Sequence, residues 1–199
     1  MKATKIDGRR ARGLRTRDAI VTALMDLIGA GDVAPTAQRI ADRAGVSVRS
    51  VYQHFTDVEG LYADASARTF DWVMTMSRDI DPAWDRERRI EEYVASRSAV
   101  LEALTPFNRA SRLIEPQSEA IRRNRQVMQR QSRERLALAF APELGRLEGS
   151  ARANLLNILD LLASWPAWDH LRSTGLSVRT ARQVLRSAIT TQLSTVDRL

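Results

Sequence analysis

Between Thr36 and Phe55 the sequence reads Thr-Ala-Gln-Arg-Ile-Ala-Asp-Arg-Ala-Gly-Val-Ser-Val-Arg-Ser-Val-Tyr-Gln-His-Phe, and the spacing of its small and apolar residues leaves few ways to fold. Ala41 stands four residues before Gly45, and Val51 six residues after it. A glycine accepts the left-handed conformation that ends a helix in a tight turn. The small side chain of Ala41 lets two helix backbones approach, and Val51 then points back between them. Ile40, Ala44, Val46 and Phe55 complete a small apolar cluster. Ser47 is placed to cap the second helix, its hydroxyl meeting first-turn N–H groups that lack a partner. This spacing predicts two short helices joined by a turn, the first over about 36–44 and the second ending near 55.

The outward face of the second helix carries chemistry. Val48, Arg49, Tyr52 and Gln53 fall together at i, i+1, i+4 and i+5, opposite Val51 and Phe55. Arg and Gln can each make paired hydrogen bonds to guanine and adenine edges in the major groove, and Val48 can touch a thymine methyl. Thr36, Ser47, Tyr52 and His54 suit phosphate oxygens, which fix position without reading sequence. The alternative is a helical pair with no nucleic-acid role. Charge favours the first reading. The chain has a net charge of +7, and Lys2, Lys5, Arg9, Arg10, Arg12, Arg15 and Arg17 face only Asp7 in the opening stretch. Residues 1–13 read as a basic arm that a phosphate backbone attracts. Because lysine occurs only at positions 2 and 5, the arginine richness is also what a biased genomic base composition produces.

The rest of the chain is patterned as helix. Residues 20, 21, 24, 27 and 28 form the stripe of an amphipathic helix over 14–28, stopped by Gly29 and Gly31. Asp57 is placed to cap a longer helix running to about 78. Further helices are predicted near 83–103, 107–114, 117–140, 148–173 and 178–196, with Pro166 kinking the penultimate one. No alternating apolar run or hairpin signal supports a strand. The predicted class is all-α, with the helix-turn-helix pair in an N-terminal part over 14–60 and further helices over 61–199.

Taken with Arg15, Ile40-Ala41, Ala44-Gly45-Val46-Ser47, Val51-Tyr52, His54-Phe55, Glu59 and Leu61, the stretch from about 14 to 75 resembles the N-terminal domain of TetR-family regulators. The resemblance implies a three-helix DNA-binding domain joined by a fourth helix to a larger helical domain that binds ligand and dimerises. It also implies a homodimeric repressor released from a palindromic operator by a small molecule. One position departs from the family pattern. Where a lysine commonly precedes the residue aligned with Glu59 and contacts a phosphate, this chain has Val58. Thr56 or the N-terminal N–H groups of the fourth helix are left to replace that contact.

Beyond residue 80 the resemblance is one of length and helical pattern. Leu155, Leu156, Leu159, Leu162 and Trp165 form one stripe, and Val178, Ala181, Val184, Leu185, Ala188 and Leu193 another. The resemblance places these two helices in a four-helix dimer interface; packing inside one subunit is the alternative. Trp72, Met76, Tyr93, Phe107, Asn108, Arg112, Met128 and Asn157 are the candidate lining of a ligand pocket between the middle helices, although such residues also build ordinary cores. Arg109, Arg112, Arg122, Arg123, Arg125, Arg130, Arg133 and Arg135, against Glu115, Glu119 and Glu134, suit either an acidic ligand or a solvated helix face.

Enzymatic function is not indicated. His54 and His170 are the only histidines, and there is no His-x-x-x-His, no Gly-x-Ser-x-Gly and no phosphate-cradling glycine loop. Without cysteine there is no disulfide framework or thiolate metal site, and no cofactor is implied. The absence of an apolar run of membrane-spanning length or a secretory leader leads to an expected cytoplasmic location. Two other functions remain open at this point: a ligand-independent architectural DNA-binding protein, and a helical interaction module without a DNA role.

Overall fold

The computed structural model describes residues 3–198, without the side chains of 3–7 and 9, so Lys2 and the side chains of Lys5 and Arg9 of the basic arm lie outside what it describes. Ten α-helices and no strands occur among the described residues. They are α1 (Ala3–Gly29), α2 (Ala37–Ala44), α3 (Val48–His54), α4 (Val58–Met76) and α5 (Arg86–Ile114). These are followed by α6 (Glu119–Ala139), α7 (Ala141–Leu144), α8 (Gly149–Leu162), α9 (Trp165–Ser173) and α10 (Val178–Ser194). By contact density the chain divides into two compact units, Met1–Asp71 with Pro106–Arg125, and Trp72–Thr105 with Gln126–Leu199. Helices α4, α5 and α6 each contribute residues to both.

Three boundaries differ from the sequence pattern for identifiable reasons. Helix α1 begins at Ala3 rather than near residue 14, because the preceding Ala and Arg residues favour helix and no proline interrupts them. Helix α5 runs unbroken through Thr105-Pro106, where two helices were expected. Proline inside a helix costs about 3 kcal/mol, but Leu101, Leu104 and Ala110 are all buried on either side of Pro106, and that burial outweighs the lost hydrogen bond. The single helix expected over 148–173 is instead two. Ala163 ends α8, and Ser164 caps α9 by accepting a hydrogen bond from the Ala167 N–H. Pro166 therefore sits in the first turn of α9, where its missing N–H costs nothing.

The first unit is built on Ile20, Val21, Leu24 and Ile28 of α1, which close over Ile40, Ala41, Val51 and Phe55. Leu61, Tyr62 and Ala65 of α4 join this core, as do Ala110 and Ile121 from the later part of the chain. The second unit packs Ile90, Tyr93 and Val94 of α5 with Leu136, Ala139 and Phe140, and with Leu155, Leu159, Leu185, Ile189 and Leu193. A buried ion pair anchors it: Arg89 Nη2 stands 2.6 Å from Glu143 Oε1, both side chains being almost wholly buried.

Candidate nucleic-acid interface and ligand cavity

In the first unit the turn between α2 and α3 has the geometry its glycine requires. Gly45 adopts φ 66°, and the Val46 N–H donates to the Ala41 carbonyl at 3.0 Å, closing the end of α2. Thr36 caps α2 and Ser47 caps α3, their hydroxyls accepting from the N–H groups of Arg39 and Ser50 at 3.3 and 3.1 Å. The Ser47 hydroxyl also shares a hydrogen bond of 3.0 Å with the Ser50 hydroxyl. Ion pairs hold α2 to α1 and to the loop before it, Arg43 to Asp26 at 2.9 Å and Arg39 to Asp32 at 2.5 Å.

Helix α3 then divides as its sequence spacing predicts. Val51 and Phe55 are buried, whereas Arg49, Tyr52 and Gln53 are exposed. Tyr52 leaves 57% of its surface open, so a large aromatic side chain stands in solvent on the same face as Arg49. Val48 is half-buried against the core, presenting less surface outward than its neighbour Arg49. His54 is also half-buried, close enough to α1 that a side chain added at Gly13 would meet its ring at 3.8 Å. Arg17 lies in this corner too: its Nη1 donates to the His54 carbonyl at 2.7 Å, and its Nη2 pairs with Asp64 at 2.8 Å. The sequence suggested Arg17 only as part of the arm's positive charge; here it ties α1 to the end of α3 and to α4. At the start of α4 the Asp57 carboxylate accepts from the Gly60 N–H at 2.8 Å. That cap occupies one of the N–H groups expected to substitute for the family's missing lysine, and it adds a negative charge beside them.

The second unit contains a small cavity of about 50 Å³. Val73, Val100 and Leu104 form its apolar wall, supplemented by Met74 and Met128. Its polar lining includes Tyr93, Arg97, Arg135 and Ser132. The Tyr93 hydroxyl is buried without a hydrogen-bond partner, and burial pushes its pKa up to about 12, Arg97 opposing the shift and Asp160 adding to it. The ring itself is fixed edge-to-face on Phe140, with centroids 5.3 Å apart. Arg97 donates from Nε to the Ala163 carbonyl at 2.8 Å, and burial holds its guanidinium below its ordinary pKa, against the raising effects of Tyr93 and Asp160. Arg135 Nη1 is buried without a hydrogen bond; the nearest carboxylate oxygen, Oδ1 of the exposed Asp79, lies 3.5 Å away.

Of the eight residues proposed from sequence as pocket lining, this cavity brings together Tyr93 and Met128. Met76 packs behind its wall, Asn157 is exposed and accepts from Arg133 at 2.6 Å, and Trp72 leaves 40% of its surface open. Phe107, Asn108 and Arg112 belong to the first unit, where Phe107 packs on the core. Arg97 was not singled out, and Arg135 appeared only within a basic stretch. Much of that stretch is engaged: Arg123 pairs with Glu119, Arg125 with Glu115 and Arg133 with Asp160. Of the apolar stripes, Leu155, Leu159, Ala181, Leu185 and Leu193 are buried within the subunit, while Val184 of the second stripe remains exposed, as do Ile158 and Leu161 beside the first.

A capped pair of short helices with an exposed Arg-Tyr-Gln row has the form of the helix-turn-helix of DNA-binding proteins. Comparison with known proteins shows which kind it resembles. Residues 20–65 match the family of bacterial regulatory proteins, tetR family. The match covers the helix-turn-helix and the helices flanking it, so this part of the chain is similar to the N-terminal domain of TetR-family transcriptional regulators.

Solved structures share its fold along nearly the whole length. A transcriptional regulator from Rhodococcus sp. Rha1 is 18% identical with a TM-score of 0.65, over 90% of this chain and 95% of its own. A Rhodococcus sp. protein described as a TetR-family transcriptional regulator is 20% identical with a TM-score of 0.58, over 89% of this chain and 98% of its own. The multidrug binding protein EbrR, complexed with imidazole, is 19% identical with a TM-score of 0.56, over 87% and 94%. At these identities the likeness is one of fold. No curated protein matches the chain. Among the described residues, no helix is long and apolar enough to cross a membrane, and no cluster of acidic or histidine side chains is suited to a metal.

Proposed function

We propose that the chain is a cytoplasmic homodimeric repressor that reads a palindromic operator and leaves it when a small molecule occupies the second unit. The observation that carries this reading is the exposed row of Arg49, Tyr52 and Gln53 on a helix whose opposite face is buried. Arg49 and Gln53 read base edges, Val48 contributes what remains of its surface, and Thr36, Ser47, Tyr52 and His54 position the helix on phosphates. Residues 1–13 act as a basic arm beside the 14–60 DNA-binding domain, and 61–199 form the regulatory and dimerisation part.

Dimerisation follows from the reach of a single short helix, because two linked helices can read half-sites about one helical turn apart. The surface that suits this role lies on the outward faces of α8 and α10. Ile158 and Leu161 stand there with Val184, and Thr180, Ser187 and Thr191 share the Val184 face without a charge. Ligand in the second unit favours a conformation whose recognition helices are wrongly spaced, with α4 carrying the shift. Ligand and DNA then weaken each other by the same factor. The fold shared with a multidrug binding protein agrees with a ligand-bearing second unit.

Selection of bound duplexes from a random DNA pool at physiological salt tests the reading. It predicts an enriched palindrome. Binding without enrichment that fades as salt rises is the signature of backbone attraction alone, and belongs to an architectural protein instead.

A further inference from the structure

We infer that the cavity of the second unit is built for a small apolar monocarboxylate, a short alkanoate or single-ring aromatic acid, whose carboxylate is received by Arg97, Arg135 and the Tyr93 hydroxyl. The inference rests on the ligand-responsive reading above and specifies its ligand.

Charge balance comes first. Arg78, Arg97 and Arg135 line the cavity, and no carboxylate lines it. The acidic groups nearby are placed elsewhere. Asp79 is exposed beside Arg135, Glu92 lies 3.8 Å from Arg78, and Asp160 pairs with Arg133 at 3.0 Å. Three guanidinium groups on the wall, two of them paired only loosely with Glu92 and Asp79 outside the lining, favour an anion, because the low-dielectric surroundings strengthen the attraction that water would screen.

Unsatisfied donors come second. Tyr93 is 6% exposed, and its hydroxyl has no partner, although a buried phenol almost always finds one. Arg135 Nη1 is likewise buried without a hydrogen bond. Both atoms belong to residues that line the same small space. They are donors, and a carboxylate offers only acceptors, about four lone-pair sites on two oxygens. An ammonium or amide N–H could address only the Tyr93 oxygen and would leave the arginine donors unmet.

Size and the remaining wall set the rest of the ligand. About 50 Å³ is far below the roughly 300–1,000 Å³ of pockets for drug-sized molecules. The ligand is therefore small. Val73, Val100 and Leu104 require an apolar body, and the flexible Met74 and Met128 side chains can yield to it.

The test is calorimetric titration of the full-length protein with benzoate and hexanoate at neutral pH, beside the uncharged benzamide and hexanamide and the cation hexylammonium. The carboxylates are expected to bind about tenfold or more tightly than the amides, and the cation not at all. Arg97→Gln should abolish that preference. Tyr93→Phe should leave the melting temperature of the free protein unchanged or raised, since it removes an unpaired buried hydroxyl, yet shrink the ligand-induced shift. Equal binding of acid and amide, or no carboxylate binding, overturns the inference, as does a Tyr93→Phe variant that binds normally. Displacement of DNA is measured separately. Carboxylates that bind without releasing DNA uphold the ligand class and sink the repressor mechanism; release by hexylammonium but by neither acid does the reverse.

Discussion

The guanidinium of Arg17 lies 4.1 Å from the centre of the Phe55 ring, and the same group holds the carbonyl of the residue before it, His54. One side chain of α1 thus grips the last turn of α3 by its ring and its backbone together. This fixes the direction in which Arg49, Tyr52 and Gln53 project. Arg17→Ala is expected to cost about 1–2 kcal/mol of unfolding free energy, from the lost ring contact and the charge-assisted hydrogen bond. The exposed ion pair with Asp64 adds little to that figure. DNA affinity should fall on all sequences alike, because orientation and not base reading is lost. An unchanged denaturation midpoint would return Arg17 to the role of a phosphate contact.

Arg49 behaves differently if it reads a base. It is exposed and supports no packing, so Arg49→Ala should leave the melting temperature within about a degree while removing about 1–3 kcal/mol of discrimination at one operator position. Tyr52→Phe should weaken every duplex similarly, since a lost phosphate contact carries no sequence information. Mobility shifts on the selected operator and on single-base variants separate the two patterns. A uniform loss from Arg49→Ala demotes that residue to backbone contact.

The contrast between Gly45 and Arg97 shows which part of the molecule is legible in sequence. The turn at Gly45, the caps at Ser47 and Asp57 and the buried Val51 are set by neighbours within a few residues, and local chemistry is enough to place them. Pro106 and Ser164-Pro166 depend on what lies across the core. The same residue type is carried through a buried helix in one case and marks a new helix in the other. The cavity is less legible still. In a chain this rich in arginine, Arg97 has no local mark; what distinguishes it is burial beside Tyr93 at the cavity, which only the packed structure shows. The first unit also recruits 106–125 from far along the chain, which no reading by position could supply.

Acid should unfold the second unit through Glu143. Burial works to raise its pKa, but hydrogen bonds from Arg89 and Arg86 outweigh that and hold it below the ordinary carboxylate range. Asp197, bridged by Arg86 and Arg146, is depressed as well. A carboxylate depressed on folding contributes stability above its unfolded pKa, near 4, and that contribution is lost as pH falls through the lower folded value. Melting temperature should therefore decline below about pH 4, beyond the loss shared by all carboxylates. Glu143→Gln should cost about 3–5 kcal/mol at neutral pH, because it strands the buried Arg89 charge, and should flatten the acid slope. A variant as acid-sensitive as the parent would show that other groups govern the transition.

Leu161 provides the decisive probe of assembly. It leaves 68% of its surface in solvent on α8, a large apolar exposure for a residue whose neighbour Leu159 is fully buried. Most of the two stripes suited to dimerisation in sequence is buried inside the subunit, so a dimer must use what stays exposed, Val184 of the second stripe with Ile158 and Leu161. Leu161→Glu places a charge at the centre of the proposed face without touching the subunit core. It should raise the dimer dissociation constant by at least about tenfold, read by sedimentation, with circular dichroism unchanged. Affinity for the palindrome should fall much further than affinity for a single half-site, since only the former depends on two linked recognition helices. If Leu161→Glu sediments as the parent does, the subunits meet through another surface. The exposure of Ile158, Leu161 and Val184 would then need a different partner.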